Sequence, residues 1–280
     1  TLEKDMSTLH SLYGYGFVGV VLISTLFLQF VGKQYWMYLT FFWAALPVIA
    51  SILLMTSKLP DMNMEQSEQK SSKSRHRTKG IILCMICIFL GACAENTMSN
   101  WISVYTENVL HMPKVWGDIF GMSLFAILLA LTRTAYAKYG KNILRVLMLS
   151  MVGAIVCYCV VAFSTNAIIS LAGCVAVGIC TSMLWPGTLI LMEEKIPAVG
   201  VAAYALMAAG GDFGASFAPQ TLGIIVDKIS VTEWATTIGS TVSLNPEQVG
   251  FKIGMLIVTI FPILGILLLV YMKNHFKKVQ

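Results

Sequence analysis

Residues 81–100 read IILCMICIFLGACAENTMSN. The first fourteen of these residues are uncharged and mostly apolar, and the stretch then ends in Glu95, Asn96, Ser99 and Asn100. About 20 mostly apolar residues in a helix cross the hydrocarbon core of a bilayer. The stretch therefore predicts a membrane-spanning helix that carries polar side chains partway along its length.

The composition of the whole chain supports this prediction. Of the 280 residues, 57% are apolar and 12% are charged, and the mean hydropathy is +0.76. A soluble domain carries about 25% charged residues, so this composition excludes a disordered chain and favours a polytopic membrane protein. The net charge is +5, but the basic residues lie between apolar segments. We therefore expect no nucleic-acid partner.

Eight apolar segments are long enough to cross a membrane. They lie at residues 9–31, 35–56, 81–105, 117–136, 143–163, 167–191, 198–225 and 251–272. The predicted fold class is therefore all-α, a polytopic membrane bundle of eight transmembrane helices. The polar stretch at residues 226–250 predicts a loop on the outer side.

Basic residues are distributed unevenly over the connections between these segments. If the N-terminus is cytoplasmic and every segment crosses once, 15 of the 19 Lys and Arg residues lie on the cytoplasmic side, among them Arg133, Lys138 and Lys141. Cytoplasmic loops carry such an excess of Lys and Arg. We therefore predict a multi-pass protein of the cell membrane (inner or plasma) with both termini in the cytoplasm.

Residues 57–79 interrupt the apolar segments with a run rich in Ser, Lys and Gln. Such a run cannot form a core and predicts a flexible cytoplasmic linker. Two segments precede the linker and six follow it. This layout predicts that residues 1–56 are the last two helices of an N-terminal bundle and that residues 80–280 form a C-terminal six-helix bundle. Further N-terminal helices, missing from the chain, are then an expected partner.

Two carboxylates fall well inside predicted membrane segments, far from the segment ends. Glu95 and Asp212 each lie fourteen residues after the start of their segments, which puts each about 21 Å along a helix, near the bilayer midplane. A charge at that depth costs about 2.5–3.5 kcal/mol, which favours a functional interpretation. Either acid then binds a proton or a solute in a cavity that both line. The alternative is a structural role in hydrogen bonds between helices.

Amide and aromatic side chains complete the candidate solute site. The amides are Asn96 and Asn100, which share a face of the third segment, and Gln220 in the seventh. The aromatic side chains are Tyr13 in the first segment and Trp185 beside a proline in the sixth. A position in an interfacial aromatic belt is the alternative interpretation of both aromatic residues.

Motifs for other kinds of chemistry are absent from the sequence. There is no P-loop, which argues against an ATP-driven pump on this chain, and no zinc-protease or serine-hydrolase motif. Cys84 and Cys87 form a C-x-x-C, but no second pair follows at zinc spacing. We therefore predict no enzyme activity, no cofactor and no metal site, and treat the seven cysteines as small apolar side chains.

Four stretches carry a family resemblance: LHSLYGYG (9–16), ENTMSNWISVY (95–105), MLWPGT (183–188) and ALMAAGGDFG (205–214). They resemble the major facilitator superfamily and, within it, the fucose-permease-like branch of solute:proton symporters. That fold has twelve helices in two six-helix halves joined by a cytoplasmic linker. The resemblance implies that the eight segments are helices five to twelve.

The stretch RTAYAKYGKN, which follows the fourth segment, resembles the short basic loop motif of that family, G-x-x-x-D-[RK]-x-G-[RK]-[RK]. Lys138, Gly140 and Lys141 match the motif, whereas Arg133 stands at its first Gly and Ala137 at its Asp. The resemblance implies a gating role for Arg133, Lys138, Gly140 and Lys141.

The function implied by the resemblance is secondary active transport by alternating access. We expect symport of a small hydrophilic solute, such as a sugar, with a proton that is coupled through Glu95 and Asp212. Two alternatives stay open: a drug or metabolite exporter of the same fold, and a non-transporting membrane subunit or fragment.

Overall fold

The computed structural model describes residues 2–58, 74–196 and 199–279, and these residues form helices without any strand. The α-helices are α1 (Leu2–Phe30), α2 (Trp36–Thr56), α3 (Ser74–Asn108), α4 (Lys114–Trp116), α5 (Leu124–Tyr139), α6 (Ile143–Phe163), α7 (Ala167–Thr181), α8 (Leu184–Lys195), α9 (Val201–Ser230), α10 (Glu233–Val242), α11 (Pro246–Val258) and α12 (Ile260–Val279). A 3₁₀ turn (Lys33–Tyr35) precedes α2, and a π-helical segment (Gly117–Ser123) joins α4 to α5.

Seven helical stretches of the described chain are long and apolar enough to cross a membrane. They are Lys4–Phe30, Lys33–Thr56, Arg77–Asn108, Lys114–Tyr139, Ile143–Phe163, Ala167–Lys195 and Pro246–Lys277. The predicted segment 198–225 forms most of α9, a helix of 30 residues that is not among the seven. Its glycines and polar side chains lower its hydropathy, so an eighth crossing stays a prediction.

Helix α3 lies at the centre of the fold. It packs against α8, α9 and α12, and its fully buried side chains include Cys84, Cys87, Ile88, Met98, Ile102 and Tyr105. These positions recur every three or four residues and so lie on one face of the helix, which packs into the bundle, whereas Ile82 and Ile86 are exposed. Glu95 therefore lies on the most buried of the seven membrane-spanning stretches.

Helices α1 and α2 differ in their attachment to the rest of the bundle. Helix α1 packs along α5 and the π-helical segment and buries Ser7 and Val21. Helix α2 buries only Leu39, and Trp43 Nε1 donates to Ser24 Oγ on α1 at 3.1 Å. Helix α1 is therefore the part of the predicted N-terminal bundle that contacts the later helices.

The stretch at residues 226–250, predicted to be an outer loop, is mostly helical, and its position on the outer side stays a prediction. Helix α10 occupies Glu233–Val242, and the side chain of Thr232 caps its first turn. Asn245 forms a capping box with Gln248 at the start of α11. Short polar side chains at these positions satisfy helix N–H groups and therefore begin helices.

The predicted linker at 57–79 lies largely in residues 59–73, outside the described residues. Helix α3 begins at Ser74, within the predicted linker. The division into two bundles on either side of the linker stays a prediction.

Candidate functional site

The sixth apolar segment is broken in its middle. Helix α7 ends at Thr181 and α8 begins at Leu184, so Ser182 and Met183 lie between them. Pro186 has no N–H and cannot donate to the carbonyl of Ser182, which stands four residues earlier. The break therefore leaves a main-chain acceptor inside the bundle.

Arg133 on α5 donates to this acceptor. Its Nε lies 2.7 Å from the carbonyl oxygen of Ser182, and its Nη1 lies 3.0 Å from the carbonyl oxygen of His10 on α1. Its Nη2 lies 3.1 Å from each carboxylate oxygen of Glu95 on α3. One guanidinium thus joins α1, α3 and the α7–α8 break.

Glu95 is the charge partner of Arg133 in the bundle interior. The side chains of Arg133 and Glu95 are 2% and 8% exposed. Buried charges are tolerated when they are paired and hydrogen-bonded, as these are. The hydroxyl of Tyr158 donates to the carbonyl oxygen of Ala94 at 2.6 Å and thereby fixes the helix next to Glu95.

The prediction that Arg133 lies in a cytoplasmic loop is wrong. Arg133 lies inside α5 and is buried. Its donors are satisfied there by the carboxylate of Glu95 and by the carbonyls of Ser182 and His10. Lys138 and Lys141 are exposed, and Gly140 ends α5. A signal was present in the sequence: Arg133 is the only basic residue of the predicted segment 117–136.

The expectation that Glu95 and Asp212 lie at equal depth is also wrong, whereas the cavity that both were expected to line stays a prediction. A Cβ on Gly214 of α9 would lie 2.4 Å from the carbonyl oxygen of Phe89 on α3, which sets the register of the two helices. Asp212 is therefore about 10 Å along the bundle from Glu95. Its side chain is exposed, and among the described residues it forms no ion pair.

The predicted amides lie on the more open side of α3 and on α9. Asn96 is half-buried and follows Glu95 directly, whereas Asn100 and Gln220 are exposed. Nδ2 of Asn96 donates to the carbonyl of Ala92 at 3.1 Å, and Nδ2 of Asn100 donates to the carbonyl of Asn96 at 2.7 Å. The amide nitrogens are thus turned to their own helix, which leaves the amide oxygens as acceptors.

The two predicted aromatic residues, Tyr13 and Trp185, make different contacts. The centre of the Tyr13 ring is 5.8 Å from Cζ of Arg133, within range of a cation–π contact. Trp185 follows the α7–α8 break, and its ring packs on Gly211 of α9, where a Cβ would lie 2.3 Å from Cη2 of the ring. Only a glycine leaves room for this indole.

A sequence profile of the Major Facilitator Superfamily matches residues 2–219. The chain belongs to the major facilitator superfamily. Searches of curated proteins and of solved structures return no significant match. Membership confirms the predicted all-α membrane bundle and makes the chain a multi-pass membrane protein of a transporter family.

The candidate site of this major facilitator protein is therefore centred on the buried ion pair, with the Tyr13 ring over Arg133 and Asn96 directly after Glu95. Glu95, Arg133, Asn96 and Tyr13 lie together, and Trp185 lies beyond the helix break. Among the described residues, no three His, Cys, Asp or Glu side chains are grouped to hold a metal ion.

Proposed function

We propose that this protein is a secondary active transporter that carries a small hydrophilic solute, such as a sugar, with a proton. The buried pair of Glu95 and Arg133 is the observation that carries this proposal. A buried ion pair adds little stability compared with well-packed apolar side chains. In a membrane interior, ionisable side chains mark ion and substrate pathways.

In the proposed cycle, Glu95 binds the transported proton. Protonation neutralises the carboxylate, so Arg133 loses its charge partner but keeps its bonds to the carbonyls of Ser182 and His10. His10 belongs to the predicted N-terminal bundle, and the other partners belong to the predicted C-terminal bundle. The lost ion pair lies within the predicted C-terminal bundle, but it adjoins the hydrogen bond from Arg133 to His10 that joins the two bundles. Alternating access requires that contact between the bundles to change, and we place the effect of the proton next to it.

Asp212 is the second proposed proton site. Its support is weaker, because it is exposed and has no ion-pair partner among the described residues. Glu95 is therefore a carboxylate in an ion pair, whereas Asp212 is a carboxylate without one among the described residues.

The solute is proposed to bind at Tyr13, Asn96, Asn100, Trp185 and Gln220. The oxygens of Asn96 and Asn100 accept hydrogen bonds, so they suit a solute that presents hydroxyl donors. The rings of Tyr13 and Trp185 suit the apolar face of a sugar ring. The amides fit a drug exporter less well, since such a cavity is expected to be apolar and aromatic.

The topology remains part of the proposal. We place both termini on the cytoplasmic side of the cell membrane, because the uneven distribution of basic residues remains after Arg133 is removed from it. Lys138, Gly140 and Lys141 then form a cytoplasmic gating loop between α5 and α6.

Uptake by cells that express the complete natural gene tests this proposal. Labelled monosaccharides are supplied with and without an inward proton gradient. We expect the gradient to drive accumulation of at least one sugar, and Glu95→Gln to abolish accumulation while the protein still inserts. Asp227→Asn, at an exposed acid on α9, is the matched control and should accumulate sugar normally. Normal accumulation by Glu95→Gln would contradict the proposal.

A further inference from the structure

Another polar contact joins α1 to the later helices, about 22 Å from Arg133 along the helical stretch Lys114–Tyr139. Asp118 lies in the π-helical segment between α4 and α5. Its Oδ2 accepts a hydrogen bond from Oγ1 of Thr25 on α1 at 3.1 Å. Its Oδ1 accepts one from Oγ of Ser103 on α3. A single carboxylate therefore bridges α1 and α3.

The surroundings of this carboxylate favour a contact that opens. Thr25 and Ser103 are buried, at 8% and 5% exposure, whereas Asp118 is only half-buried. Lys114 Nζ lies 3.5 Å from Ser103 Oγ and supplies the nearby positive charge. Hydrogen bonds to a charged group hold the closed form, yet water can replace them at low net cost.

The π-helical segment sets the position of Asp118. Its turns are wider than those of an α-helix, and the hydroxyl of Ser123 donates to the carbonyl of Asp118 at 3.1 Å. Single π-helical turns inside α-helices occur frequently at functional sites. The carboxylate thereby reaches hydroxyl groups on two different helices.

Helices α1 and α5 approach each other closely at Gly14. A Cβ on Gly14 would lie 2.7 Å from Cβ of Ala130 and 3.1 Å from its Cα. The two backbones therefore touch with no side chain between them, as at close helix crossings in membranes. Thr25 lies eleven residues, about 16 Å, further along α1, so a small rotation at Gly14 moves it far.

We propose that Asp118 is a releasable latch that holds the Thr25 end of α1 against α3, with Gly14 and Ala130 as the pivot. The latch is closed in this structure and opens when the two bundles rock apart at that end. This inference rests on the proposed function, because only a carrier that changes conformation needs such a latch. Its contacts can nevertheless be tested without any transport measurement.

Hydrogen–deuterium exchange of the purified chain in lipid nanodiscs tests the latch. Asp118→Ala should accelerate exchange about tenfold in residues 17–30 and 117–123, and leave residues 2–14 unchanged. Asp227→Asn, which replaces an exposed acid outside the latch, should leave all these rates unchanged.

Thr25→Val keeps the shape of the side chain and removes only its donor. It should accelerate exchange in residues 17–30 and leave α3 as it is. Unchanged rates in residues 17–30 of both variants would overturn the latch. Equal acceleration throughout α3 would overturn it as well, because Asp118 would then support the whole fold.

The two proposals fail separately in these experiments. If exchange follows the expected pattern but the protein shows no proton-driven uptake, the latch is supported and the proposed function is contradicted. If the protein shows proton-driven uptake but exchange is unchanged in Asp118→Ala, the proposed function is supported and the latch is contradicted.

Discussion

Glu95 and Asp212 lie at the same distance from the start of their predicted segments, yet they differ in burial and in ion pairing. Glu95 is buried on the central helix and paired with Arg133, whereas Asp212 is exposed on α9. Distance along a segment gives the depth of a residue only if the segment starts are right. It gives no information on the direction in which a helix turns its side chains.

The difference between the two acids comes from a partner that is distant in sequence. Arg133 lies 38 residues from Glu95 and reaches it across the bundle from α5. Asp212 has no such partner among the described residues. The comparison teaches that a charged residue in an apolar segment is best interpreted together with the opposite charges of the other segments.

The largest expected effect is on stability when the ion pair is broken. Arg133→Gln leaves the charge of Glu95 buried without its partner and should lower the free energy of unfolding by about 3–5 kcal/mol. Asp212→Asn should change it by less than about 0.5 kcal/mol, because that side chain is exposed. Unfolding of the purified chain in detergent measures both, and equal losses would contradict the comparison.

The next effect is a rescue by the second change. Glu95→Gln together with Arg133→Gln removes both charges, so the double variant should recover more than half of the stability lost in Arg133→Gln. The same unfolding measurement completes a double-mutant cycle. Additive losses would show that the two side chains do not depend on each other.

A smaller effect is expected at the helix break. Pro186→Ala restores an N–H that competes with Arg133 for the carbonyl of Ser182, so proton-driven uptake should slow about tenfold with unchanged expression. Pro47→Ala, in the exposed helix α2, is the matched control and should transport normally. Equal rates for the two variants would remove the break from the proposed mechanism.

The smallest effect is expected at the amides. Asn96→Ala and Asn100→Ala each remove one neutral acceptor and should raise the half-saturation concentration of the sugar about threefold to tenfold. Their proton-to-solute ratio should stay that of the unmodified protein, unlike that of Glu95→Gln. A change of that ratio in Asn100→Ala would place the exposed amide in the coupling step.

Helix positions are predictable from this sequence because an apolar run of about 20 residues is long enough to cross a bilayer and seldom forms any other structure. The segments at 143–163 and 167–191 agree closely with α6 and with α7–α8. The error at 226–250 arises because residues such as Thr232 and Asn245 occur both in loops and at helix starts.

The candidate site was predictable only in part. Glu95 and the proline break are visible as departures from an apolar pattern, and so is Arg133 within its segment. Their meeting at one point depends on the rotation and register of three helices, set by contacts such as Gly14 against Ala130. Such contacts are between residues far apart in the chain, and no local pattern encodes them.

Proton movement coupled to sugar entry tests the central claim most directly. Cells that express the complete gene are placed in weakly buffered medium, and the external pH is recorded when a transported sugar is added. The account predicts alkalinisation with the unmodified protein and none with Glu95→Gln, although Glu95→Gln still exchanges labelled for unlabelled sugar. Alkalinisation of equal size in Glu95→Gln would contradict the account.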